Sequence, residues 1–171
     1  MSSNLQVYRA KPNPAGKDRT RSGPLPEQLV AEWADIKNVG GESIRFATME
    51  LHDTTFAPGC RADGTECYWR GGQGQGVLEP GQILRVHTGS KRFEATLSAE
   101  DRGSDVTWTA FAERGNFVLN NDCGDVITVI WSDGSGKRWK DSAGYDPRPP
   151  EGAVLHRWHD GKLRAAPVGV Y

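Results

Sequence analysis

Hydrophobic and polar residues alternate along this chain in short runs, separated by Gly, Pro, Asn and Asp. Residues 5–10, LQVYRA, open with the apolar–polar alternation of a half-buried strand. Residues 28–38, QLVAEWADIKN, predict the clearest strand. Leu29, Ala31 and Trp33 fall on one face, and Val30, Ala34 and Ile36 on the other, so both faces are covered for part of its length. Residues 44–53 resume the alternation through Ile44, Phe46 and Thr48, with Ala47, Met49 and Leu51 opposite. Further strands are predicted at 82–88, 105–111 and 117–120, at the strongly β-branched VITVIW of 126–131, and at 137–142. Ser98, followed by Glu100 and Asp101, has the chemistry of one capped helical turn. Residues 11–26 and 57–76 read as long loops. Past the Pro-rich 147–150, the pair Asp160-Gly161 suits a tight turn between LHRWH and KLRAA.

Seven to nine short strands without a long amphipathic helix predict an all-β sandwich with long loops and a C-terminal β-ribbon or tail. Residues 1–150 are expected to be the sandwich domain, and 151–171 an extension, either a hairpin packed on it or an oligomerisation arm. The 21 glycines and 10 prolines among 171 residues fit turns better than helices.

Charge changes this picture little. Residues 1–30 carry five basic and two acidic side chains, residues 137–171 seven and four, and residues 31–136 nine and sixteen. The acidic body with basic ends leaves a nucleic-acid reading open, through Lys11, Lys17, Arg19 and Arg21 with Lys137, Arg138 and Lys140. No aromatic residue lies among the first four to stack on a base. No apolar run is long enough for a membrane helix and no signal peptide is visible, so the expected location is the cytoplasm. Three cysteines then predict free thiols, with a Cys60–Cys67 bridge as the alternative on oxidation.

Candidate chemistry is sparse. GGQGQG at 71–76 lacks the helix a phosphate loop requires. The oxygen-rich 120–131 fails the calcium-loop order, because its last position is Trp131. There is no GxSxG elbow, and the Cys123 thiolate is disfavoured by Asp122 and Asp125. His156 and His159, three apart, face opposite ways on a strand. No Cys/His spacing of zinc type is present. No catalytic, cofactor or metal residue is therefore predicted, and a small hydrolase with an unrecognised carboxylate pair stays as an alternative.

The ordered set Glu32-Trp33-Ala34-Asp35-Ile36-Lys37-Asn38, Met49-Glu50-Leu51-His52-Asp53, Leu78-Glu79-Pro80-Gly81, Leu119-Asn120-Asn121 with Gly124-Asp125-Val126, and Asp133 with Gly136 resembles the lamin-tail domain family. Met49 stands where that family usually has Trp, and Ala47 where Gly is common. The resemblance implies an immunoglobulin-like sandwich in which Glu32, Trp33, Asn38, Asp53, Pro80, Gly81, Asn120, Gly124, Asp125, Asp133 and Gly136 are structural. It also implies a non-catalytic module that binds a protein partner.

Overall fold

The alternating segments form two sheets that face each other across one core in the computed structural model, which describes residues 4–16, 19–20, 23–74 and 76–165. In chain order, β1 (Leu5–Lys11) precedes two short pieces, β2 (Arg19–Thr20) and β3 (Gly23–Pro24), then α1 (Pro26–Val30) and β4 (Trp33–Asn38). Next come β5 (Ile44–Arg45), a 3-10 turn at Phe46–Thr48, and the hairpin β6 (Glu50–Ala57) and β7 (Arg61–Arg70). β8 (Val77–Leu78), β9 (Ile83–His87), a 3-10 turn at Lys91–Thr96, α2 (Ala99–Arg102) and β10 (Trp108–Phe111) follow. The chain ends with β11 (Asp125–Ser132), β12 (Arg138–Tyr145), β13 (Leu155–Arg157) and β14 (Leu163–Ala165). One sheet has six strands, ordered β10-β9-β4-β1-β13-β14, and the other four, ordered β12-β11-β6-β7. These two sheets hold more strands than the seven to nine expected.

Between the sheets lie Leu5, Val7, Ala10, Ala34, Ile36, Leu84 and Val86 from the first, against Leu51, Ile127, Val129, Trp131 and Ala143 from the second. The alternation of β11 is strict, with Asp125, Ile127, Val129 and Trp131 buried and Val126, Thr128, Ile130 and Ser132 turned outward. A register shift between Val7 and Arg9 interrupts the alternation of β1. The extra residue turns Arg9 and Lys11 away from the core, to the outer side of the six-stranded sheet.

That outer side is also closed. β9 and β10 pair in parallel, so the chain must cross over between them. The crossover carries the 3-10 turn and α2, whose Ser98 caps Asp101 N–H as its sequence predicts. Asp35 is fully buried beneath it, with Arg9 and Arg85 as its direct cross-strand partners. Arg85 grips Asp35 through two bonds of 2.7 and 2.8 Å, and Arg9 adds one of 2.8 Å. The Arg85 guanidinium lies 3.4 Å from the Trp33 ring centroid and donates to the Glu100 and Asp101 carbonyls. Asp101 accepts from Trp33 Nε1 at 2.9 Å and from Lys11 Nζ at 2.7 Å. Trp33 is thus an anchor under the crossover rather than part of the core between the sheets.

Several sequence expectations are corrected. The segment 28–38 is not one strand: Pro26 opens α1, where a missing N–H costs nothing, and β4 starts only at Trp33. Half of the expected loop 57–76 is β7, whose polar outer half pairs with β6. Residues 117–120 form no strand, and the expected continuous strand 44–53 is broken at Phe46–Thr48. The Asp160-Gly161 hairpin forms as expected, and β13 pairs with β1, so the C-terminal segment extends the six-stranded sheet.

Cys60 is bonded to Cys123, with their Cα atoms 5.3 Å apart, and Cys67 is free. The alternative Cys60–Cys67 bridge is excluded by the hairpin: Cys60 sits at its tip, whereas Cys67 is opposite His52 further along. The disulfide spans 63 residues and ties the hairpin tip to the turn before β11, which for a loop of that length is worth about 4 kcal/mol by chain entropy. Replacing Cys60 and Cys123 together by Ser is expected to lower the free energy of unfolding by about 2–4 kcal/mol in a urea titration. Asp35→Ala, which leaves Arg85 buried without its partner, is expected to cost about 3–5 kcal/mol in the same assay.

Candidate functional site

The oxygen-rich stretch before β11 is a fold element. Asp125 Oδ1 accepts from Thr54 N and Val126 N, and Oδ2 from Asn120 N. Asn120 Oδ1 accepts from Cys123 N at 2.8 Å, and the Asn120 carbonyl accepts the Tyr145 hydroxyl. Gly124 has φ +72°, and a Cβ there would stand 2.4 Å from the Tyr145 carbonyl oxygen, so glycine is required. Asp133 organises the next turn, accepting from Ser135, Lys137 N and Trp139 Nε1, and these bonds hold its carboxyl down at about 2.

Three acids, Glu32, Asp53 and Asp125, converge at this end of the sandwich and are 0%, 5% and 3% exposed. Glu32 Oε1 accepts from Val118 N and Leu119 N, which fixes the irregular segment the sequence presents as a strand. Among the described residues, Glu32 Oε2 and Asp53 Oδ1 are buried without a hydrogen-bond partner. Burial, with the nearby Asp125 charge, pushes both the Glu32 and the Asp53 carboxyl up to about 8. Closed off from solvent, these acids do not form the open cleft that paired-carboxylate hydrolysis requires.

The candidate basic residues whose side chains are described do not share one surface. Lys11 is buried and paired with Asp101 and Glu100. Lys17 and Arg21 lie outside the described residues, and of Arg19 only the backbone, in β2, is described. Lys137 rests on the Trp139 ring, Arg138 bonds the Thr48 carbonyl and Ser132, and Lys140 is exposed on β12. β12 runs alongside β1 from these residues through Asp141, which touches Val7 N, towards Pro149, which touches Asn13. Lys11 and Lys137 therefore stand at opposite ends of the sandwich.

Two surface features are better formed. Where the edges β10 and β7 approach each other, Phe46, Trp69, Leu84, Trp108, Thr109 and Ala110 line an open apolar groove of about 220 Å³. Trp108, 40% exposed, stands edge-on to Phe46 with ring centroids 5.4 Å apart. Trp69 continues this groove into a second one lined by Arg70, Phe111, Ala112 and Arg114. Arg114 donates to the Cys67 and Tyr68 carbonyls and so blunts the β7 edge, whereas β10 has only β9 as a sheet neighbour among the described residues.

The second feature is on the outward face of the four-stranded sheet, where Glu50, His52 and Cys67 meet. Glu50 and His52 are two apart on β6 and share a face, and Cys67 is the register partner of His52 on β7. His52 Nε2 lies 2.9 Å from Glu50 Oε1. Sequence reasoning missed this group because Cys67 fell in a segment read as loop. The signal was the E-x-H spacing on a strand, which needs only a third ligand across the ladder.

The chain matches no protein-family model, and no curated protein matches its sequence. None of the described helices is long and apolar enough to cross a membrane.

The acid cluster gives stability a definite pH dependence. In the unfolded chain Glu32 and Asp53 release their protons near 4.5 and 3.8, but in the folded protein near 8. Between these values the unfolded state binds fewer protons, so stability falls as pH rises. His87 acts oppositely: burial lowers it from 6.5 to about 4, so its contribution grows with pH and is complete by about 6.5. Between about pH 6.5 and 8 the acids alone act, and urea unfolding is expected to show declining stability there. Glu32→Gln, neutral at every pH, is expected to flatten that decline.

Proposed function

We propose that this protein is a non-catalytic interaction module of lamin-tail type that binds a protein partner through the groove beside Trp108. The resemblance is supported by what its signature residues do. Asn38 joins the Glu42 and Leu78 carbonyls to Gly40 N, and Gly81, at φ +84°, donates to the Asn38 carbonyl in the turn that follows Pro80. Glu32 and Asp125 hold turn backbone, and Gly136 closes the Asp133 turn at φ +85°. All are structural roles, as the family reading requires. A non-catalytic role is part of the same reading.

The observation that carries the binding role is Trp108, a large aromatic exposed on an unpaired sheet edge above an apolar floor. Exposed tryptophans over such floors are characteristic binding anchors. An extended segment of a partner can pair with the β10 backbone and place an apolar side chain between Trp108 and Phe46. Arg70 and Arg114, further along, favour an acidic residue in that segment. The disulfide favours an oxidising compartment over the cytoplasm for this role.

A photo-crosslinking residue at Thr109 is expected to join the partner in source-cell extract, while one at Val126, exposed on the other sheet, is not. Trp108→Ala is expected to weaken the captured partner's binding by about 30-fold or more, with circular dichroism showing the fold retained. Equal binding by the variant would overturn the groove. Binding that instead tracks Lys137 and Lys140 and falls steeply with salt would replace it with the nucleic-acid reading.

A further inference from the structure

We propose that Glu50, His52 and Cys67 bind a divalent transition-metal ion of zinc type on the outward face of the four-stranded sheet. The inference rests on donor geometry, and Cys67 and Arg70 also line the second groove. One oxygen of Glu50, one ring nitrogen of His52 and the Cys67 sulfur all lie within 4.8 Å of one another. Donor atoms around a tetrahedral zinc are about 3.3–3.8 Å apart. The His52–Glu50 contact, at 2.9 Å, is already a little tighter than that, so small side-chain rotations bring the three atoms onto one ion.

The donor types also agree. Carboxylate, imidazole and thiolate are the three zinc ligands, and a thiolate sets the site against magnesium and calcium. In the metal-free protein His52 Nε2 and Glu50 Oε1 are in hydrogen-bond contact at 2.9 Å, and the Cys67 thiol donates to the Trp69 carbonyl at 3.4 Å. A metal ion takes the place of both contacts. It binds the Nε2 lone pair of the neutral imidazole, whose single proton is then on Nδ1, and the thiol proton leaves to solvent.

The surroundings hold the ligands in place. Glu50 Oε2 accepts from Arg70 at 2.9 Å and from Arg138 at 3.5 Å, which leaves Oε1 turned towards His52. Both guanidinium groups are well exposed, 68% and 49%, so water screens their repulsion of a cation. The Glu50 and His52 side chains are 21% and 19% exposed, so a fourth position faces solvent, the pattern of zinc held by three protein ligands. The cysteine pairing is consistent with this use, because the disulfide takes Cys60 and Cys123 and leaves Cys67 as the free thiol.

The test uses the full chain with its disulfide intact and no reductant. Titration with Co(II) alone is expected to give one tetrahedral ion per chain, with intense visible bands and a thiolate charge-transfer band, displaced by Zn(II). Cys67→Ser and His52→Gln are expected to abolish those bands while circular dichroism shows the fold retained. In the unmodified protein, saturating Zn(II) is expected to slow iodoacetamide alkylation of Cys67 by about tenfold or more, since a metal-bound thiolate is a poor nucleophile. That measurement needs no variant. Absence of the cobalt bands, their persistence in both variants, or alkylation unaffected by zinc would each overturn the proposal.

Discussion

A carboxylate buried on the outer side of a strand must be neutralised where it stands, and Asp35 imposes that demand on the middle of the six-stranded sheet. Its cross-strand partners on both sides are arginines, Arg9 on β1 and Arg85 on β9. The charges alone would still face water. The crossover between β9 and β10 lies over them, and Arg85 is anchored to it through the Glu100 and Asp101 carbonyls. Asp101 in turn neutralises Lys11, and Asp105 takes the remaining donors of Arg9 at 2.9 and 3.0 Å. The network fixes strand register as well as charge, because a slip by one residue would turn Asp35 into the core between the sheets. The crossover that leads from β9 to β10 is thereby fastened to the sheet at Arg85.

The far side of the molecule follows a different logic. Glu32, Asp53 and Asp125 are kept among backbone N–H donors and apolar walls, and the first two hold their protons into the neutral range. Glu32 and Asp125 spend bonds on the irregular backbone at 118–120, where no ladder exists to satisfy it, and Asp125 also accepts from the Thr54 N–H of β6. The Cys60–Cys123 bond closes the same region from outside. With these acids closed off, the surface carries an apolar groove at one sheet edge and the Glu50–His52–Cys67 group on the outward sheet face.

Much of this was legible in the residues. The strict alternation of β11, the turns built by Asn120, Asp125, Asp133 and Gly136, and the capped turn at Ser98 depend on contacts within a few residues, so local pattern sufficed. The all-β sandwich followed from their sum. α1 was lost because Leu29, Ala31 and Trp33 mimic a strand's alternation, and nothing local announces that the chain reverses after Val30. β7 was lost because its outer half is polar and is held by backbone pairing with β6, which leaves no hydrophobic period.

By itself, then, the sequence determined the all-β class, the turn chemistry and the inward face of a strand such as β11, since these depend on neighbours along the chain. Tertiary structure alone decided which cysteines joined, that Lys11 is a buried counter-ion, that three distant acids share one closed pocket, and that Cys67 faces His52 across a ladder. Each of these brings together groups far apart in sequence, and their meeting is set by strand order and register.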